Sequence, residues 1–184
     1  MIAVMEAEPL AAQVRIRHLA DDEIDVLQPL WTALHDHHMG MTAHLEPVAP
    51  SVSGAESWSR RHKKYVQWLD EPESFALLAE RDGVAVGYAM CRVVDGDPGS
   101  WSIAPRVGVL ETLSIAPGER GHGLGTRMIA EVRREFDARG AEQFRLLVIT
   151  TNADAIRFYE RHGLRPHVMT MLATVSPSPG ETAR

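Results

Sequence analysis

The sequence predicts a single mixed α/β (α+β) domain, a central and mostly antiparallel twisted sheet with helices on both faces. Three observations predict it. The 184 residues suit one ordinary domain. Apolar residues recur in blocks of period two and blocks of period three to four, in the order strand, two helices, three strands, helix, strand, helix, strand. No internal repeat or low-complexity block interrupts that series.

Val14, Ile16 and Leu19 alternate with polar neighbours, which suits a short edge strand. Asp21 and Asp22 are acidic capping residues for a helix whose stripe runs Ile24, Leu27, Leu30, Trp31 and Leu34, with Gly40 at its end. Pro47, Pro50 and Gly54 mark residues 42–57 as a loop. Trp58, His62, Tyr65, Val66 and Leu69 then share a helix face, with Arg60, Arg61, Lys63 and Lys64 mostly on the other side, and Pro72 ends the helix. Two apolar runs, 75–80 and 84–94, flank an Asp82-Gly83 hairpin turn. A third strand is expected over 107–115, after Pro105. Leu124, Met128, Ile129, Val132 and Phe136 define a helix closing at Gly140. Residues 144–149 read as a buried strand, Asn152 caps a short helix stopped by Gly163, and 168–175 reads as a last strand.

Nineteen basic against 25 acidic residues make the net charge −6, the opposite of a nucleic-acid footprint. The single cysteine, Cys91, forms neither an internal disulfide nor a cysteine-based zinc site, so a reducing, cytoplasmic setting is the expectation. Glu6 and Glu8 stand where a signal peptide carries positive charge, and no apolar run reaches membrane length, so no membrane partner is expected.

The segment Arg120-Gly121-His122-Gly123-Leu124-Gly125 joins a strand to a helix. Backbone N–H groups converge at such a turn, glycines let an anion approach them, and Arg120 adds a charged donor. Between Pro117 and Arg134 four arginines face two glutamates, a local +2. A dinucleotide-type Gly-x-Gly-x-x-Gly fails at Thr126 or Met128, and a P-loop fails because Leu124 and Gly125 follow Gly123. Arg-x-x-Gly-x-Gly does fit, and with it the chain resembles the GNAT superfamily of acyl-CoA-dependent N-acyltransferases. The likeness includes Leu110 to Pro117, the helix through Arg139, and Asn152 to Leu164, and covers roughly Val14 to Val175. It implies a domain over 14–175, an N-terminal extension over 1–13 and a C-terminal tail over 176–184.

The resemblance implies an acetyl-CoA-dependent N-acetyltransferase acting directly on a primary amine of a small molecule or peptide. It carries cofactor contacts onto Leu113, Ser114 and Ile115 along an unpaired strand edge, onto Arg120, Gly121, His122, Gly123, Leu124, Gly125 and Thr126 at the turn, and onto Asn152. Asn152 is equally a good helix N-cap. Acyl transfer needs a neutral amine and a proton for the leaving thiolate. Period two places Glu111 on one face with Val109, Leu113 and Ile115, an acid among apolar residues whose pKa tends upward, which suits a general base. The alternative is a glutamate at a strand edge or paired with an arginine. Tyr159, matching the tyrosine of the family's Phe-Tyr pair, is the candidate acid for the thiolate; a core aromatic is its alternative.

His35, His37, His38 and His44 cluster near Asp36. His35 and His38 are helical i, i+3 neighbours, but the His-Glu-x-x-His pattern is absent, and no metal is expected. In the family the first helix walls the acceptor pocket, so Trp31, His35 and His38 are substrate-binding candidates. Their alternative is a polar, exposed helix end. Family members often pair through sheet edges or helices, which allows a homodimer. A non-catalytic acyl-CoA sensor or interaction domain is the rival reading, and a histidine-based metal-binding protein a third.

Overall fold

The computed structural model describes residues 13–20 and 22–175. The expected extension (apart from Gln13), the cap at Asp21 and the tail 176–184 lie outside the described residues. Five strands form one sheet: β1 Arg15–His18, β2 Ser74–Arg81, β3 Val84–Asp95, β4 Arg106–Ile115 and β5 Gln143–Leu146. They lie side by side in chain order, antiparallel except for the β4–β5 pair. The predicted mixed sheet is therefore present. Helices α1 Gln28–Met39 and α2 Gly54–Leu69 cover one face, while α3 Leu124–Ala138 covers the other and α4 Ala153–Arg161 adds Phe158 and Tyr159 to that side.

Local chemistry explains most boundaries. Asp82 and Gly83 take φ of 52° and 75°, the left-handed pair that turns β2 tightly into β3. Helix α2 starts four residues before Trp58, because Ser53 accepts the Glu56 N–H at 3.2 Å and caps it. The chain before α1 is a 3-10 turn over Ile24–Leu27, and Glu23 there accepts the Ala20 N–H and pairs with Arg17, whose guanidinium also holds Glu80 on β2. Gly108 faces Phe136 so closely that a Cβ would lie 2.7 Å from its ring. Gly108→Ala should destabilise the fold by about 1–3 kcal/mol through overpacking, checked by urea denaturation.

Three expectations need correction. First, β4 does not alternate strictly: Met90 pairs with Thr112 and Cys91 with Leu110, leaving Glu111 as the extra residue of a β-bulge. Leu110 therefore joins Leu113 and Ile115 toward α3, while Thr112 and Ser114 face α1 and α2. Second, β5 ends at Leu146 instead of continuing buried to residue 149, and Leu147 is 97 % exposed. Third, residues 168–175 form no strand. Val168, Met169, Met171 and Leu172 are all exposed, and among the described residues no partner strand or covering layer holds the segment in a sheet.

Candidate active site

The β4–β5 ladder stops at Leu110 opposite Leu146. Past that point residues 112–115 are paired to β3 on one edge, Glu111 is the bulge residue, and no strand among the described residues pairs with the other edge. A wedge opens in the sheet, and the glycine turn and α3 begin directly after it.

Gly121 and Gly123 have φ of 80° and 82°, and nothing lies within 4 Å of where their Cβ atoms would be. The first helical bond of α3 is donated by the Arg127 N–H to the Gly123 carbonyl, and no side chain caps the helix. The N–H groups of Leu124, Gly125 and Thr126 thus have no intrahelical acceptor, and the positive end of the helix dipole lies at an exposed turn. Donors and space both fit a diphosphate. Gly125 serves differently: Phe158 of α4 lies 3.2 Å from its would-be Cβ, so the missing side chain lets α4 press against α3. The Thr126 hydroxyl and His162 Nε2 lie 3.3 Å apart, and Arg133 donates to the His162 carbonyl, so the turn and α4 are fastened together.

The local +2 does not act as a unit. Arg127 donates to the Val14 carbonyl, Arg133 reaches α4, and Arg134 pairs with Glu131. Arg120 alone stays beside the turn, with Nε donating to the Ile115 carbonyl at 3.2 Å. Leu124 is core, leaving its N–H as its contribution, and His122 is exposed. Ser114 directs its hydroxyl to the Leu30 carbonyl at 3.0 Å, away from any ligand, and ties β4 to α1.

Glu111 is half-buried and is not among apolar neighbours. Its carboxylate accepts from Arg92 Nη1 at 3.3 Å, and Arg92 also donates to Glu71 and stacks 5.0 Å over Trp68. The alternative of an arginine pair is thus the observed geometry, and it leaves the carboxylate at the mouth of the wedge on a bulge. Beside it, the Tyr65 hydroxyl donates to Thr112 Oγ1 at 2.7 Å and lies 3.2 Å from the Tyr88 hydroxyl. Burial pushes both tyrosines above their ordinary range.

Tyr159 packs beside the α3-side core, and its ring lies edge-on to Phe158 at 5.2 Å. Desolvation pushes its phenol up to about 12, and its hydroxyl has no hydrogen-bond partner among the described residues. Asn152 is buried and caps α4, its side chain accepting the Ala155 N–H at 3.1 Å. Burial likewise pushes the Cys91 thiol far up, which makes it an inert core group.

The histidines separate. His35 is buried beneath the start of α2, with Gly54 against its ring, while His38 is half-buried at the end of α1. Burial, then electrostatic repulsion from His37, His35, Arg120 and Arg61, holds His38 below its usual range. Among the described residues no group of three His, Cys, Asp or Glu is placed to hold a metal ion, and no helix is long and apolar enough to cross a membrane. Trp31 lines a cavity between α1 and α2. Sequence reasoning missed its partner Arg61, whose guanidinium lies 4.4 Å over the Trp31 ring. Arg61 stands at i+3 from Trp58 and four before Tyr65, a spacing that assigns it to the buried stripe.

Known proteins resemble this chain in sequence and in fold. The family model described as "Acetyltransferase (GNAT) family" matches residues 31–164. A mycothiol acetyltransferase of Amycolatopsis mediterranei is 31% identical over 124 residues, 67% of this chain and 38% of that protein, so the chain spans well under half of that relative. An uncharacterized N-acetyltransferase of Archaeoglobus fulgidus is 33% identical over 122 residues, 62% of this chain and 80% of that protein. A solved aminoglycoside N-acetyltransferase in complex with CoA superposes with a TM-score of 0.66 at 15% identity, covering 91% of this chain and 98% of that one. A GCN5-related N-acetyltransferase from Ralstonia eutropha gives 0.70 at 18%, covering 89% and 100%. At such identities the two structures speak for the fold. The family match spans most of the chain, and the chain belongs to the GNAT family of acetyltransferases.

Proposed function

We propose that the protein transfers an acetyl group from acetyl-CoA directly to a primary amine. The observation that carries this reading is the open β4 edge running into an uncapped helix N-terminus, with Glu111 on one side and Tyr159 on the other. Acetyl-CoA supplies an acyl group activated as a thioester. The N–H groups at the start of α3, with Arg120, receive the diphosphate, and the unpaired main chain of residues 111–115 lies along the arm that leads to the thioester. Glu111 takes a proton from the ammonium, directly or through water. The amine nitrogen then bonds to the carbonyl carbon, the carbon–sulfur bond breaks, the Tyr159 phenol gives its proton to the departing thiolate, and the proton that the new amide nitrogen sheds passes through water to restore the phenol. The single buried Cys91 supports a reducing, cytoplasmic setting.

Free-thiol release with acetyl-CoA and a panel of amines tests the reading; coenzyme A binding without thiol release from any amine would leave a sensor instead. Glu111→Gln should lower kcat/KM about 10²-fold near neutral pH. The deficit should shrink above roughly pH 10, where an alkylamine sheds its own proton. A deficit independent of pH would remove Glu111 as the base.

A further inference from the structure

We propose that the cavity between α1 and α2 holds a carboxylate of the acceptor, gripped by Arg61 and Lys64, so that the acceptor is an amine that also carries a carboxylate, of the amino-acid class. This rests on the acetyl-transfer reading and names its acceptor. The cavity, about 340 Å³, is lined by Trp31, Val52, Ser57, Arg60, Arg61 and Lys64.

Three of those six side chains are cations. Arg60 is neutralised by Glu56 at 2.5 Å. Arg61 and Lys64 have no carboxylate partner among the described residues. Arg61 is nevertheless held in place, with its guanidinium carbon 4.4 Å from the Trp31 ring, 5.7 Å from Tyr65 and 5.9 Å from Trp68. Stacking on aromatic faces uses the flat sides of a guanidinium and leaves its N–H edge for a two-point bond to a carboxylate. The wall adds one neutral donor. Ser57 Oγ accepts the Trp31 indole N–H at 3.1 Å, which leaves the hydroxyl proton for another oxygen.

The cavity is also linked to the proposed base through Trp68 and Arg92. Trp68 lies 5.9 Å from Arg61, 5.6 Å from Lys64 and 5.0 Å from Arg92, and Arg92 donates to Glu111. One indole thus separates the unpaired cations from the pair that includes the base. The charge pattern discriminates as well. Arg92 is balanced by Glu71 and Glu111, whereas Arg61 and Lys64 present uncompensated positive charge that repels a polycation.

The experiment pairs free α-amino acids with their α-carboxamides, plus spermidine as a polycation, in thiol-release assays. In parallel, tryptophan fluorescence follows binding of the N-acetylated amino acids and their amides. The expected result is at least a tenfold preference in kcat/KM for carboxylates over matching amides, a difference of about 1.4 kcal/mol. Arg61→Gln should abolish that preference mainly through KM, Arg61→Lys should restore part of it, and Lys64→Gln should weaken it. Coenzyme A affinity of each variant serves as the control for folding. Turnover of amides or spermidine equal to that of carboxylates overturns the inference and leaves acetyl transfer standing. Fluorescence binding of carboxylates in preference to amides, with no turnover of any amine, keeps the carboxylate site and overturns acetyl transfer. Neither turnover nor binding overturns both.

Discussion

Tyr159→Phe is expected to lower turnover about 10²-fold while coenzyme A affinity changes by less than about threefold, under 1 kcal/mol. The variant removes one oxygen and keeps the ring that packs against Phe158 and the α3-side core, so helix α4 keeps its place against Gly125. What it removes is the hydroxyl of a half-buried ring, without a hydrogen-bond partner among the described residues and with a pKa raised to about 12 by desolvation. The sign of that shift matters. Burial disfavours the phenolate, so the proton stays on the oxygen through neutral pH and beyond the ordinary value near 10. Such a group can give a proton to a thiolate but is no base. Wild-type turnover should therefore show no alkaline loss attributable to this residue before about pH 12, and the Phe variant should be slow across the whole range. Unchanged turnover in Tyr159→Phe would make the tyrosine a packing residue only.

The second large effect is expected at the glycine turn. Gly121→Val combined with Gly123→Val should weaken coenzyme A binding roughly 10²-fold, about 2.7 kcal/mol. Two causes combine. At φ of 80° and 82° a β-branched residue is strained by about 1–2 kcal/mol, and the new side chains would project into the open space through which a diphosphate reaches the N–H groups of α3. A control separates them. Gly140 and Gly163 have φ of 73° and 83°, also with nothing near their would-be Cβ atoms, but they end α3 and α4. Gly140→Val and Gly163→Val should lose similar stability and retain coenzyme A affinity. Calorimetry with coenzyme A, beside urea denaturation, makes the comparison. If all four substitutions weaken binding equally, the turn acts through stability and not as an anion seat.

Local features were legible because their causes lie within a few residues. Asp82-Gly83 makes a hairpin, Gly123 starts a helix in the left-handed region, and Asn152 caps the next helix by bonding the N–H three residues on. The Ser53 cap and Glu56 were also visible in principle, yet the prolines and Gly54 around them read as a loop. Residues 168–175 show the opposite case: their apolar composition suits a strand, but a strand also needs a covered face and a paired edge, and here the apolar side chains stay exposed.

The active-site candidates divide along the same line. By itself the sequence determined the order of elements, the glycine turn and the identities of Glu111 and Tyr159, since each depends on short-range spacing or a contiguous motif. Only the tertiary structure decided where those groups lie and what they touch. The bulge at Glu111 exists because β3 and β4 pair out of step, a relation between residues about 20 apart. The Arg92 partner, the edge opened where β5 stops, and the Arg61 stack on Trp31 likewise join segments distant along the chain. Charge is the clearest case. A sum over neighbouring residues found four arginines near the turn, but a guanidinium reaches across space, and three of the four are committed elsewhere, while Arg61 and Lys64, without a carboxylate partner among the described residues, line the cavity between α1 and α2.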